Sequence, residues 1–379
     1  MNSKKNSDRT LQRDIKKLLD KGVCDGVFSC AATGILSGVG KERKKIITYC
    51  GNASQYPETR KFKKNNFFDL ASLTKPLATT MAILCLLKMN KIDVDEKLPS
   101  LLEKKIKGDK KNTSIRQLLG HCSGLPAHRE YFKILKDVPV EKKGAFVDNL
   151  LLSEKFEYAP ETKAVYSDLG FMLLGRIIEK KAGYSLEQFV REKVLQPINL
   201  GENVFFNPLF INNHITRDKE FVATENCPWR KKTLYGEVHD DNCYAMGGVA
   251  GHSGLFGDIE SVTNYAGLIL DMWKDLASHP NIRNRDLINF LVRQHKIPGS
   301  TRTLGFDTIT RSGSSSGKLF SKKSVGHLGF SGTSFWIDPE KDVVVVLLSN
   351  RVHPSRENTK IKQFRPYFHD MVLEKIFRT

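Results

Sequence analysis

What most constrains this 379-residue chain is that its strand-forming segments lie at opposite ends. Near the N-terminus, VFSCAATGILSG and KIITYCG flank the turn-like GVGKER and predict a β-hairpin. Near the C-terminus, SFWIDP and VVVVLLSN flank EKD and predict a second, with Asp338-Pro339 marking the turn. Between them the apolar spacing is helical, in ATTMAILCLLKMNK, SIRQLLGH, GFMLLGRIIEKKAG and SVTNYAGLILDMWKDL. An isolated hairpin is marginal in water, so the two ends are expected to share one sheet. The predicted class is α+β: one antiparallel sheet built from both chain ends, flanking helices, and a helical region inserted roughly over 77–300. A cleft is expected where the two parts meet. Leu11, Ile15, Leu18 and Leu19 predict an N-terminal helix within 1–21, ahead of a single domain over 22–379. Phe364, Phe368, Met371, Val372 and Ile376 predict a closing helix, and Ser312 to Gly317 (SGSSSG) a flexible loop.

Other classes are disfavoured. No run of eighteen apolar residues is present, so no membrane-spanning helix is expected. The first nineteen residues are charged throughout, with no apolar core of a secretory signal. That predicts a cytoplasmic protein, or an exported one if a leader precedes this sequence. Seven cysteines, without a CxxC pair, read as free structural thiols. The formal charge of +18 would suit an anionic partner, nucleic acid included. Its basic residues, however, form short surface-type clusters such as Lys104-Lys105, Arg230-Lys231-Lys232 and Lys322-Lys323, with no aromatic platforms. No nucleic-acid partner is therefore expected. Nothing in the sequence sets the oligomeric state.

Three short motifs carry chemistry. The first is Ser72-Leu73-Thr74-Lys75, ahead of an apolar helix. A serine hydroxyl becomes a nucleophile when a neighbouring base takes its proton. If Ser72 opens the helix, Lys75 lies one turn on, on the same face, and Pro76 is tolerated in that first turn. Lysine is a base only when neutral, so burial and nearby cations are expected to lower its pKa. A second SxxK, Ser315 to Lys318, sits in the Gly/Ser loop with no apolar helix behind it and is set aside. That loop also fails as a phosphate-binding motif, being one residue short and followed by Leu319. The second motif is Tyr166-Ser167-Asp168, after the turn Ala159-Pro160-Glu161, where a tyrosine beside a lysine can relay a proton. The third is Gly326-His327-Leu328-Gly329-Phe330-Ser331-Gly332-Thr333, just before a strand. Its small residues let a substrate lie against the strand edge, where backbone N–H groups can hold an oxyanion.

In this order the motifs resemble those of the serine β-lactamase and penicillin-binding-protein superfamily. The resemblance is nearest to the class C β-lactamase-like esterase and amidase branch, and runs from about Gly22 to the C-terminus. It includes LLGHCSGLP, in which His121 and Ser123 read as structural. It implies a β-lactamase/transpeptidase-like fold and a serine hydrolase that forms an acyl-enzyme on an amide or ester. The implied substrate is a small molecule or a muropeptide. Ser72 would be the nucleophile, Lys75 and Tyr166 the proton-handling pair, and the N–H groups of Ser72 and Phe330 the oxyanion hole, with His327 and Gly329 at the substrate strand. No metal or organic cofactor is implied.

Two departures stand out. Asp168 occupies a position often held by Asn; ionised, it accepts but cannot donate, and it favours a protonated Lys75. His327 and Leu328 stand where many relatives use lysine and threonine to hold a carboxylate, with Ser331 or Thr333 as replacement hydroxyls. The charge at His327 is expected to change near pH 6 to 7. Val238 to Asp258, VHDDNCYAMGGVAGHSGLFGD, resembles a subset of these hydrolases that includes muramoyl-alanine amidase-like members. There His239, Asp240 and His252 would read polar substrate groups; their spacing matches no standard metal set. The alternatives are a non-catalytic penicillin-binding-like sensor on this scaffold, a β-lactamase, or a D-alanyl-D-alanine carboxypeptidase.

Overall fold

The computed structural model describes residues 2–209, 218–294, 296–310 and 313–377. Met1 and Ser312 of the expected helix and loop lie outside these. Seven strands form the main sheet: β1 (Cys30–Ser37), β2 (Lys44–Ser54), β3 (Arg60–Lys61), β4 (Asp307–Thr308), β5 (Val325–Leu328), β6 (Ser334–Asp338) and β7 (Val343–Ser349). Their order is β3-β2-β1-β7-β6-β5-β4, every neighbouring pair antiparallel. The chain ends meet in the middle, where Ala31 pairs with Ser349 and Ser37 with Val343.

Alternation along these strands supplies two cores, because successive side chains point to opposite faces. Ala32, Leu36, Val344, Val346, Leu348, Phe335 and Ile337 join the larger core. Ala31, Ile35, Val343, Val345, Leu347 and Trp336 join the smaller one, on the opposite face. Helices α1 (Asn2–Cys24) and α5 (Ile361–Phe377) cover the second face through Ile15, Leu18, Leu19, Phe364 and Phe368. The other face takes the inserted region, led by α2 (Met81–Lys88), α3 (Asp168–Ala182) and α4 (Ile259–Trp273). Helix α4 approaches β1 closely at Gly34, where any Cβ would collide with the Thr263 side chain.

The insertion is less uniformly helical than its apolar spacing implies. Val204–Phe206, Leu255–Gly257 and Phe68–Asp69 form a three-stranded sheet, and Asn226–Cys227 pairs with Lys232–Thr233. These strands are two or three residues long, too short for a period-2 pattern to show. The Gly/Ser loop is tied down: Asp370 of α5 accepts from the N–H groups of Lys318 and Leu319. Arg230, expected on the surface, is buried; it pairs with Asp241 at 2.9 Å and lies 3.9 Å over the Tyr244 ring. All seven cysteines are free, six of them buried. Among the described residues no helix is long and apolar enough to cross a membrane.

Candidate active site

Ser72 lies in a tight turn, Ala71–Leu73, that opens the helical run Lys75–Thr80 leading into α2. Pro76 stands in the first turn of that run, where no intrahelical N–H is needed. Ala71 adopts the left-handed region, φ 49°, unusual for a residue with a Cβ. Asp69 holds it there: Oδ1 accepts the Ala71 N–H at 2.8 Å and Oδ2 the His239 N–H at 2.6 Å. Its backbone oxygen takes the Ser331 hydroxyl, and that of Leu70 takes the Thr333 hydroxyl. Both hydroxyls thus serve as tethers, and neither replaces the group lost at Leu328.

Lys75 is fully buried, and its Nζ lies 3.0 Å from Ser72 Oγ, 3.0 Å from the His252 carbonyl and 2.8 Å from Asp168 Oδ1. Tyr166 arrives from the segment before α3. Ser167 caps that helix, accepting the Gly170 N–H, and its hydroxyl donates to the Pro126 carbonyl. The Ser167 N–H donates to Nδ1 of buried His121, whose ring lies 4.8 Å from that of Tyr166. Lys75 Nζ lies 4.8 Å from the centre of the Tyr166 ring. Hydroxyl, amine and phenol therefore converge from stretches of chain about ninety residues apart.

The third motif closes the site from β5. Gly329 packs onto the turn before Ser72: an added Cβ would collide with the Thr333 hydroxyl and lie 2.8 Å from the Leu70 carbonyl. Phe330 is half exposed, with Arg351 4.2 Å over its ring and His239 stacked at 5.6 Å. These residues border a cleft of about 970 Å³, lined also by Ser72, Tyr166, Asp168, His327, His239 and Asp240. His252 is not part of the lining. It is buried, its Nε2 2.9 Å from Asp240 Oδ1, so it supports the wall instead of meeting a substrate directly. His239 is committed to Glu225 at 3.2 Å. Among the described residues no group of three or more His, Cys, Asp or Glu is arranged to hold a metal.

Electrostatics differ from expectation at two positions. Burial presses the Lys75 pKa down, but the Asp168 charge and then Tyr166 outweigh it and raise it above the ordinary lysine value. Burial likewise opposes ionisation of Asp168, yet Lys75, His128 and His252 hold its carboxyl far below the usual range. Tyr166 is pushed up by burial, which the Lys75 charge only partly offsets. The resting site thus holds an ammonium, a carboxylate and a neutral phenol. His327 is the second correction. Burial, then the charges of Lys75 and Arg302, drive its pKa well below 6.5, so it stays neutral across pH 6 to 7. Its Nδ1 meets the Leu328 carbonyl at 2.9 Å and its Nε2 is buried without a partner among the described residues.

Two further lining residues, Arg302 and His128, belong to none of the three motifs. Arg302 lies 5.1 Å over the Tyr166 ring and pairs with Asp307 at 3.3 Å. It reaches the cleft through the sheet-edge strand β4, which has no sequence signature. His128, just past LLGHCSGLP, puts Nδ1 3.6 Å from Asp168 Oδ2.

The family model described as Beta-lactamase matches residues 15–365. The N-acetylmuramyl-L-alanine amidase of Bacillus subtilis (strain 168) is 32% identical over 324 residues, 77% of this chain and 70% of that protein. A putative D-alanyl-D-alanine carboxypeptidase of Salmonella typhi is 31% identical over 323 residues, 78% of this chain and 72% of that one. The octameric penicillin-binding protein homologue from Pyrococcus abyssi shares the fold, with a TM-score of 0.69 at 18% identity over 95% of this chain and 77% of its own. With a match spanning nearly its whole length, the chain belongs to the beta-lactamase family and is a serine hydrolase of that family.

Proposed function

We propose that the chain cleaves an amide or ester of a muropeptide-type fragment by transferring its acyl group to Ser72. Lys75 and Tyr166 move the proton, and the N–H groups of Ser72 and Phe330 hold the oxyanion. The 3.0 Å contact between Ser72 Oγ and Lys75 Nζ, beneath the Tyr166 ring, carries this reading. An oxyanion formed at Ser72 gains from fixed backbone dipoles that need no reorganisation during reaction. Relatives named N-acetylmuramyl-L-alanine amidase and putative D-alanyl-D-alanine carboxypeptidase support the substrate class. Arg302 adds a guanidinium beside Tyr166, suited to a substrate carboxylate where His327 and Leu328 offer neither cation nor hydroxyl. Mass spectrometry after treatment with a fluorophosphonate tests the assignment. A single adduct on Ser72, absent in Ser72→Ala, is expected; no adduct on folded protein would refute it. Equal ester turnover by wild type and Ser72→Ala would instead favour a non-catalytic binding role.

A further inference from the structure

Acylation requires a destination for the Ser72 proton. Lys75 Nζ lies 2.8 to 3.0 Å from Ser72 Oγ, the His252 carbonyl and Asp168 Oδ1, with the Tyr166 hydroxyl also within its reach, and an ammonium has a proton for each of the three close contacts. Such a group has no lone pair to offer. The carboxylate that touches it is Asp168, and the second oxygen of Asp168 faces His128 Nδ1 at 3.6 Å. The Lys75 side chain is 0% exposed, that of Asp168 20% and that of His128 49%, so the three form a line from the buried base to the open cleft.

We propose that Lys75, Asp168 and His128 form a proton relay, in which Asp168 takes the proton that frees Lys75 to act as base and His128 sets when Asp168 can accept it. This rests on acylation of Ser72 as proposed above. Lys75 first passes one proton to Asp168 Oδ1. Rotation about its Cε–Nζ bond then turns the lone pair toward Ser72 Oγ. As the Oγ–C bond forms, the hydroxyl proton moves to Lys75. When the C–N or C–O bond breaks, the leaving group takes a proton from Tyr166, which is refilled from Lys75, and Lys75 from Asp168. The serine proton ends on the leaving group, and water later supplies both the hydroxyl and the proton for deacylation.

His128 acts through Asp168 and is a positioning residue. Asp168 faces Lys75, His128, His252, Asp240, Tyr166, His121 and His327, whereas His128 faces Asp168, Asp240 and Glu130. A protonated His128 places a second cation on Asp168 and keeps its proton off; loss of the imidazolium charge lets Asp168 accept. The Asp168 contact raises the His128 pKa above 6.5, so the blocked state persists to higher pH than a free imidazole would impose. Serine reactivity should therefore rise as pH climbs through that value, falling about tenfold for each unit below it.

The test measures the rate of Ser72 labelling by a fluorophosphonate on the full chain from pH 5 to 9. Wild type should show an acid limb with a midpoint above 6.5. In His128→Gln the limb should vanish, leaving rates within about twofold between pH 5.5 and 7.5. In Asp168→Asn, which cannot accept the Lys75 proton, labelling should fall at least about tenfold at pH 8 and show no limb, whether or not His128→Gln is added. His128→Lys, which fixes the charge and perturbs only a half-exposed site, should stay at least about tenfold slow at pH 8. A limb that survives in His128→Gln, an Asp168→Asn that labels as fast as wild type at pH 8, or a fast His128→Lys overturns the relay while Ser72 still labels. Absence of labelling in wild type at every pH overturns the acylation reading beneath it, a separate result.

Discussion

Glu225 gives a quantitative test of the cleft wall. Its side chain is 3% exposed, and Arg356 bonds both its oxygens, at 2.8 Å from Nε and 2.6 Å from Nη2, while His239 lies at 3.2 Å. Burial alone would raise its pKa, but the hydrogen bonds of His239 and Arg356 lower it from the ordinary 4.5 to about 2. A carboxylate depressed in the folded state contributes stability above its unfolded pKa and loses it as pH falls toward the folded value. Lowering the pKa from 4.5 to about 2, at about 1.36 kcal/mol per pH unit, is worth about 3 kcal/mol, present at pH 7 and lost between about pH 5 and 2. Glu225→Gln removes the titration with little change of shape. Urea unfolding of both proteins at pH 7, 5, 4 and 3 should show the wild-type advantage shrinking as pH falls. A gap that stays constant from pH 7 to 3 would refute the argument and assign the effect to packing.

Further expectations concern the site itself. Gly329→Ala drives a methyl into the Thr333 hydroxyl and the Leu70 carbonyl, so urea unfolding should show a loss of about 1–3 kcal/mol. Slower Ser72 labelling should accompany it; an unchanged stability would mean that β5 does not press on the Ser72 turn. Arg302→Ala should raise KM about tenfold for an ester bearing a carboxylate, the scale of one charge-assisted hydrogen bond, and leave a neutral ester unaffected. Equal effects on both esters would discard the carboxylate role. Because His327 is already neutral, His327→Gln should leave the pH dependence of labelling between pH 5 and 8 unmoved, and a displaced limb would contradict that.

The outline of this molecule was written locally. Short apolar runs in CAATGILS and VVVVLLS, and helical spacing in the segments between, report which side chains must leave water. Such patterns are one-dimensional and survive in the sequence. Ser72 and Lys75 were equally accessible, since one helical turn sets their proximity. The charge of Lys75 was only half legible: the motif already named Asp168 as favouring the protonated form, but whether that carboxylate outweighs burial depends on its contact from another helix. For the same reason His327 was misjudged, because its burial and the cations around it come from distant segments.

His252 shows the limit most plainly. Its motif suggested a substrate contact, yet the chain turns it inward to Asp240 and lends only its carbonyl to Lys75. Arg302 shows the converse, a residue without a motif delivered to the cleft by a sheet edge. Residue order alone was enough for the α+β class, the joining of both ends in one sheet, and the proximity of Ser72 to Lys75. Tertiary structure alone decided which ionisable groups face one another across the cleft. Coulomb and desolvation energies depend on distances through space and on water exclusion, neither of which follows from spacing along the chain.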